Sequence, residues 1–211
     1  MKILSFETLP STQLYLKELV KESSSCIPVA VIAQMQTAGV GSRDNQWYSQ
    51  KGNLFLSFGV SMSALPHDLK LESASIYFSW LLKETLQELG SQVFLKWPND
   101  LYLNQDKIGG MITNVVNNTI ICGVGLNLQR TMNDFACLDL ELDKNIILEN
   151  YFKKIEKKSS WKQVFSKYKV EFRTNQNFFT HFRGTKVSLS EAVLNDDGSL
   201  YINGERIYSL R

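Results

Sequence analysis

Four short β-like segments follow one another between residues 93 and 124, with only brief turns between them. Asn117-Asn118 separates the last two, and asparagine tolerates the positive φ angles of a two-residue hairpin turn. A second turn is predicted at Asn104-Gln105-Asp106. Because such turns join antiparallel neighbours, the spacing predicts a mainly antiparallel sheet. The predicted strands are residues 93–97, 101–103, 110–116 and 119–124.

Helical regions accompany these strands. The first helix is predicted to begin at Ser11-Thr12, where a hydroxyl suits the N-cap position. The second is predicted to begin at Pro66 and to end before Gly90, a residue type favoured just after a helix. Residues 144–173 carry two apolar stripes at helical spacing, which predict two more helices.

Two further strands are predicted at residues 29–33 and 53–60, on either side of a long glycine-punctuated loop at 36–47. The C-terminal part alternates short β-like runs with turns. Residues 175–211 number 37, too few to sustain a core of their own. The predicted class is α+β: a mainly antiparallel mixed sheet with helices on one side and a small β tail, divided into domains 1–174 and 175–211.

The charge balance excludes a general electrostatic attraction to nucleic acid. The chain has 23 Lys and Arg against 21 Asp and Glu, a formal net charge of +2. Residues 144–173 nevertheless hold nine basic and three acidic side chains. That surplus is either the solvated face of two helices or a docking surface for an acidic protein partner.

Apolar runs and cysteines indicate a cytoplasmic protein. The apolar runs are far shorter than the roughly 20 residues that a membrane helix needs. The N-terminal residues lack the apolar region of a secretory signal. The three cysteines are widely spaced without a CxxC pair, a pattern typical of reduced thiols in the cytosol.

Lys96-Trp97-Pro98-Asn99-Asp100 is the most specific motif. Proline cannot donate to a sheet ladder, so Pro98 is expected to end a strand and present Asn99 and Asp100 at the break. These side chains either meet a nucleotide and its metal ion or form a β-turn that caps its own backbone. With only two histidines, a His-rich metal site or a Ser-His-Asp triad is not expected.

Lys107-Ile108-Gly109-Gly110 places one lysine beside two glycines. Glycine lets a backbone approach a ligand closely, and lysine supplies a mobile cation suited to a phosphate or a developing oxyanion. The alternative is an ordinary surface lysine in a hairpin.

Taken together, these segments resemble biotin protein ligases of the biotin–[acetyl-CoA-carboxylase] ligase type. The resemblance runs in order through most of the chain. It is carried by Ser11-Thr12-Gln13, the segment 36–47, Lys96-Trp97-Pro98-Asn99-Asp100, Lys107-Ile108-Gly109-Gly110 and Gly123-Val124-Gly125-Leu126-Asn127.

The resemblance implies a class II synthetase-like ligase domain with an SH3-like β tail. It also implies an ATP- and Mg²⁺-dependent reaction in which biotin becomes biotinyl-5′-adenylate and is then passed to a lysine of the biotin carboxyl carrier protein of acetyl-CoA carboxylase. The expected protein is cytoplasmic, binds neither DNA nor membranes and pairs through its sheet into a homodimer. Because the ligase-like segments begin almost at the first residue, a monofunctional type without an N-terminal DNA-binding domain is expected.

The resemblance also assigns roles by position. Lys107 and Arg43 are the expected catalytic residues, and Asp100 is the expected Mg²⁺ ligand. Biotin is expected to contact Ser11, Thr12, Gln13, Gln36, Gly39, Val40, Gly41, Ser42, Lys107, Gly110 and Gly123. ATP and the adenylate are expected to contact Arg43, Trp47, Asn99, Asp100 and Asn127.

The loop departs from the family pattern, which usually is Gly-Arg-Gly-Arg. Here the matching residues are Gly39, Val40, Gly41 and Ser42, and Arg43 follows one position late. Arg43 is therefore expected to supply most of the loop's attraction for phosphate. The loop is expected to be mobile without ligand and to order over the adenylate.

Three other functions are weighed against this one. The first is a lipoate ligase or octanoate transferase of the same fold. An octanoate transferase would need a cysteine nucleophile, and Cys122 is the candidate. A biotin-responsive binding module would bind without turnover, but Lys107 beside the Lys96–Asp100 motif argues against it. A DNA-binding regulator is disfavoured because no helix-turn-helix region is apparent.

Overall fold

The computed structural model describes residues 1–23, 26–42, 45–130 and 135–208. Its main element is a seven-stranded sheet. The strands are β1 (Lys2–Leu9), β2 (Val29–Gln36), β3 (Leu54–Ser61), β4 (Phe94–Lys96), β5 (Asp100–Leu103), β6 (Asp106–Val116) and β7 (Thr119–Leu126). Their order is β1-β2-β3-β7-β6-β5-β4. Among the described strands only β1 and β2 pair in parallel, so the predicted mainly antiparallel mixed sheet is confirmed.

Both predicted turns in the second half of the sheet are present. Asn117 has φ 51° between β6 and β7, and Asn104 has the same φ between β5 and β6. Val116 pairs with Thr119 to close the first hairpin, so its loop has two residues. β1 was not predicted; most of its side chains are exposed, and its parallel partner lies beyond a helix.

The four helices are α1 (Thr12–Glu22), α2 (Ala74–Glu88), α3 (Lys144–Lys157) and α4 (Trp161–Glu171). They lie on both faces of the sheet, which differs from the expectation of one side. Leu16 and Val20 of α1 pack with Val29 and Val31 of β2. Ala30, between those two valines, belongs to the larger core that α2, α3 and α4 cover. Since successive side chains of a strand point to opposite faces, α1 covers the face away from the other three helices. Within the described ranges, no helix has the length and apolar character needed to cross a bilayer.

Helix α2 begins later than predicted. Residues Leu71–Ser73 form a 3₁₀ turn, and the α-helix starts at Ala74 rather than at Pro66. Asp68 explains the difference: its carboxylate accepts hydrogen bonds from the N–H groups of Trp161 and Lys162, both at 2.9 Å. The segment after Pro66 therefore caps α4 instead of starting α2. Gly90 follows the end of α2 with φ 109°, as predicted.

The lysines of α3 and α4 are partly neutralised by acids of α2. Lys154 lies 3.2 Å from Glu84 and 2.6 Å from Glu88, and Lys167 lies 2.6 Å from Glu84. Lys153 pairs with Glu149 on its own helix. These contacts support a solvated, ion-paired helix surface over a docking surface for an acidic partner.

The C-terminal residues form two small sheets. One pairs β8 (Phe179–Phe182) with β9 (Thr185–Ser188), and the other orders β10 (Val193–Leu194), β11 (Leu200–Ile202) and β12 (Glu205–Ile207). Leu200 and Ile207 belong to the same apolar cluster as α2 and the main sheet. Trp97 Nε1 also donates to Gly198 O at 2.8 Å. This region therefore packs on the main domain, as expected for a tail too short to have its own core.

Candidate active site

A cavity of about 300 Å³ lies on the α1 side of the sheet, bounded by α1, β6, β7 and residues 40–42 and 45–47. It brings together most of the residues that the sequence singled out. Gly39 and Asn99 are not among its lining residues within the described ranges, and Arg43 lies outside those ranges. The predicted residues that line it are Ser11, Thr12, Gln13, Gln36, Val40, Gly41, Ser42, Trp47, Asp100, Lys107, Gly110, Gly123 and Asn127.

The N-terminus of α1 forms one polar wall. Ser11 is the N-cap, and its hydroxyl accepts from Leu14 N, as predicted for this helix start. Gln36 Oε1 accepts from both Thr12 N (2.8 Å) and Thr12 Oγ1 (3.1 Å). Ser57 Oγ lies 2.9 Å from Thr12 Oγ1. Polar groups from a helix and two strands are thus held in fixed positions at this wall.

Gln13 lines the cavity and has a buried acceptor without a partner among the described residues. Its Nε2 donates to Asn114 Oδ1 (3.1 Å) and to Ile121 O (3.3 Å), while its buried Oε1 has no hydrogen bond. A Cβ at Gly123 would lie only 2.5 Å from that Oε1. Glycine at position 123 therefore leaves room for the Gln13 amide. A buried carbonyl without a donor is costly, so this oxygen points to a ligand that carries N–H groups.

The described residues of the segment 39–47, which are 39–42 and 45–47, lie side by side. Val40 and Gln46 form an antiparallel bridge, and Trp47 N donates to Gly39 O at 2.8 Å. The Trp47 ring rests on Gly125, where any Cβ would collide with the indole. Trp47 Nε1 is buried without a hydrogen-bond partner among the described residues. The tryptophan therefore ties the segment to β7 as a wall of the cavity.

Lys107 and Asp100 form an ion pair at the other end of the cavity. Lys107 Nζ lies 2.6 Å from Asp100 Oδ1, and Lys96 Nζ lies 3.7 Å from Asp100 Oδ2. Lys107 Nζ also lies 5.8 Å from the centroid of the Trp47 ring. The Lys107 side chain is 38% exposed, so its ammonium reaches both the cavity and solvent. Cationic groups at this end suit a carboxylate or a phosphate.

Asn99 and Asn127, two residues expected to contact the nucleotide, form hydrogen bonds with backbone groups. Asn99 Nδ2 donates to Met111 O, and Met111 N donates to Asn99 O at 3.0 Å. Asn127 Nδ2 donates to Ala136 O at 3.0 Å and its Oδ1 faces Asn53 Nδ2 at 3.4 Å. Asn99 thus bonds to the backbone of β6 rather than to its own turn, whereas Asn127 both lines the cavity and fixes the chain after β7.

Side chains from the end of α4 and from the 3₁₀ helix that follows it, Phe172–Asn177, hold β4, the strand that leads into the turn at Pro98. Glu171 Oε1 accepts from Leu95 N at 2.9 Å. Asn175, fully buried, accepts from Trp97 N at 2.6 Å and donates to Leu95 O at 3.1 Å. Neither residue could be recognised from the sequence, because their contacts span about 80 positions and follow no local pattern.

Cys122 does not lie in a position suited to nucleophilic chemistry. Its side chain is fully buried in the apolar core, and burial raises the pKa of the thiol well above its usual value. A thiolate is the reactive form of cysteine. The geometry therefore counts against the octanoate transferase alternative.

The sequence profile of the Biotin/lipoate A/B protein ligase family matches residues 5–127, more than half of the chain. The chain belongs to this family. Those residues include the second half of β1, all of β2 through β7 and most of the cavity wall. The family assignment agrees with the order of motifs along the chain.

Individual relatives extend the comparison. A crystal structure of biotin acetyl coenzyme A carboxylase synthetase from Helicobacter pylori, with bound biotinylated ATP, is 41% identical and covers 98% of this chain and 99% of its own, with a TM-score of 0.94. Biotin protein ligase from Aquifex aeolicus, in complex with biotin and ATP, has the same fold at 22% identity and a TM-score of 0.78.

Curated relatives match over a shorter region. The bifunctional ligase/repressor BirA of Escherichia coli is 34% identical over 127 residues, which are 57% of this chain and 38% of that protein. The chain thus spans well under half the length of that relative.

Proposed function

We propose that this protein uses ATP to attach biotin to a lysine of the biotin carboxyl carrier protein of acetyl-CoA carboxylase. The observation that carries the proposal is a single cavity lined by Lys107 and by Gln13, whose buried Oε1 has no hydrogen-bond partner among the described residues. Biotin has matching groups: N–H donors in its ureido ring and a carboxylate at the end of its tail. The 41% identical H. pylori structure, which holds biotinylated ATP, supports the same assignment.

The polar wall would bind the ureido ring. Gln13 Oε1 would accept an N–H, and Ser11, Thr12 and Gln36 would surround the ring with further polar groups. Gly110 and Gly123 would leave room for the ligand beside β6 and β7. Gly39, Val40, Gly41 and Ser42 would cover it through their backbone. Enclosure of this kind also protects biotinyl-5′-adenylate, a mixed anhydride, from hydrolysis by water.

Lys107 would act where charge develops. In the first step a carboxylate oxygen of biotin bonds to the α-phosphorus of ATP while the bond to the leaving pyrophosphate oxygen breaks. The Lys107 ammonium would offset the repulsion between the carboxylate and the phosphate and stabilise the transition state. In the second step the lysine amine of the carrier attacks the carbonyl carbon and loses a proton to solvent as the amide forms, and AMP leaves with the electron pair of the broken C–O bond.

Nucleotide contacts are proposed for Trp47 and Asn127, with Asn99 holding the backbone beside them. Arg43 is proposed as a phosphate contact from its place in the sequence. Asp100 alone does not form a resident metal site: it is the one carboxylate lining the cavity within the described ranges, and both of its oxygens face lysines. Mg²⁺ therefore enters this proposal only as part of the MgATP substrate.

The remaining expectations become proposals. Domain 1–174 would carry the biotin and ATP sites, and residues 175–211 would form the SH3-like tail that braces it. The protein would work in the cytoplasm without binding DNA or membranes. A homodimer would form through the main sheet.

Mass spectrometry of a carrier domain incubated with the protein, biotin and MgATP tests the function. We expect one biotinyl group on one lysine, and none when ATP is omitted. Lipoate should give no product and no thermal stabilisation. Cys122→Ala should retain activity because the thiol takes no part. An unmodified carrier, or modification with lipoate alone, would contradict the proposal.

A further inference from the structure

A second hollow of about 300 Å³ adjoins the cavity, and the two share Val40, Gly41, Ser42 and Asp100 in their walls. Three basic side chains line it: Lys17 from α1, Lys96 at the end of β4 and His181 from β8. We call this hollow the outer groove. Lys17 and His181 belong to none of the motifs that carry the family resemblance.

The outer groove is suited to an anion. Within the described ranges, Asp100 is the one carboxylate in its wall, and Lys107 and Lys96 already face its two oxygens. Lys17 forms no ion pair with another described residue. Ser42, Thr113 and Thr180 add hydroxyl groups that can donate hydrogen bonds. The groove therefore offers more positive charge than its own carboxylate neutralises.

The geometry of the proposed adenylation step suggests which anion would bind in the outer groove. In a displacement at phosphorus, the attacking and leaving oxygens lie roughly in line. The carboxylate would approach from the cavity, at the Lys107 side of Asp100. The leaving group must therefore depart away from the cavity, and the outer groove opens on the Lys96 side of Asp100.

From this juxtaposition, and resting on the proposed function, we propose that the outer groove binds the pyrophosphate released when biotin is adenylated, with Lys17 as a direct contact. Pyrophosphate carries several negative charges at neutral pH, which a groove with two lysines and a histidine would attract. Lys17 thus adds a cation next to the segment 39–42, which holds no basic residue itself.

Product inhibition by inorganic pyrophosphate tests the proposal directly. We expect Lys17→Ala to raise the inhibition constant for pyrophosphate roughly three- to tenfold, because water screens a half-exposed ammonium but does not cancel its contact with a phosphate. Lys17→Glu should raise it further, and Lys17→Arg should restore it. Lys21→Ala is the matched control: Lys21 lies on the same helix, exposed and paired with Glu18 at 2.7 Å.

The outcomes separate this inference from the proposed function. If the unmodified protein forms no biotinyl-adenylate, the function itself fails. If it does, but Lys17→Ala and Lys17→Glu keep the original inhibition constant, only the pyrophosphate groove is wrong. The groove is likewise wrong if Lys17→Glu leaves inhibition unchanged and instead raises KM for the carrier domain, because the groove would then bind protein.

Discussion

The Lys107 ammonium lies 2.6 Å from the Asp100 carboxylate, and Gly110 lies beside this ion pair. Asp100 pairs in register with Gly110, and a Cβ there would lie 3.2 Å from Asp100 Oδ1 and 3.3 Å from Lys107 Nζ. The ion pair therefore occupies the space that a side chain at position 110 would take. It holds the ammonium at the cavity before any substrate arrives.

Lys107→Ala should slow formation of biotinyl-adenylate by a factor on the order of 10²–10³, because the variant lacks a preorganised charge at the reacting phosphate. Biotin affinity should fall much less, since the ureido contacts lie at the other wall. Single-turnover measurement of adenylate, with calorimetry for biotin, checks this. Lys153→Ala, which removes an exposed ion-paired lysine of α3, is the control. Near-normal adenylation by Lys107→Ala would exclude the assigned role.

Gly123→Ala should weaken biotin binding more than tenfold, because the new methyl group would push the Gln13 amide from its place. Gly59→Ala is a matched control in the neighbouring strand: its Cβ would lie 2.8 Å from Ile27 Cδ1, away from the cavity. Both variants should lose some stability, but only Gly123→Ala should bind biotin more weakly. Equal biotin affinities, measured by calorimetry, would show that Gln13 does not contact the ligand.

Asn175→Ala should lower the free energy of unfolding by about 2–4 kcal/mol, because it leaves Trp97 N and Leu95 O buried without their partner. Urea denaturation gives this value. Asn150→Ala, which removes an exposed asparagine bonded to its own helix, should change it by less than about 0.5 kcal/mol. Matching midpoints for the two variants would rule out the role of Asn175 at β4.

Asp68→Asn should make the pH dependence of stability weaker. Burial alone would raise the pKa of the Asp68 carboxyl, but hydrogen bonds from Lys162 N and Trp161 N outweigh it and lower the pKa below its usual value. The charged carboxylate therefore contributes its full stabilisation above the unfolded-state pKa of about 3.9, and this is lost as the pH falls through the lower folded-state pKa.

At pH 7 the Asp68→Asn variant should lose about 0.5–1 kcal/mol, and the loss should shrink as the pH approaches 3. Urea unfolding at both pH values measures it. Glu22→Gln, at the exposed end of α1, should give no comparable change. A constant difference between Asp68→Asn and the original protein at all pH values would contradict the assigned cap.

Local patterns were enough to predict most of the main sheet. Neighbouring residues determine three of the predicted features: the hairpin at Asn117, the N-cap at Ser11 and the glycine after α2. Such features can be predicted from the sequence. The start of α2 was misplaced because Asp68 caps a helix more than 90 residues later. Strand β1 gave no signal because it is exposed along much of its length and has one neighbouring strand.

In the candidate site, too, some residues could be predicted from local sequence and others could not. The motif residues that share one cavity could be chosen from their types and spacing, whereas their partners could not. Nothing local marks Ser57 or Asn114 as neighbours of Thr12 and Gln13, because those contacts form only when α1 packs across the sheet. Asn99 was expected at a nucleotide, and the hydrogen bond from its amide to Met111 O could not be foreseen from the sequence.

The contacts of Glu171 and Asn175 with β4 bear on how this protein can associate. β4 is one of the two outer strands of the sheet, and those side chains occupy its outward N–H and C=O groups at Leu95 and Trp97. These backbone groups are therefore not available to pair with a strand from another molecule. Extension of the main sheet by strand pairing is confined to β1. If two copies join through β1, both remaining edges are closed. Strand addition then ends at a pair and cannot propagate into a fibre.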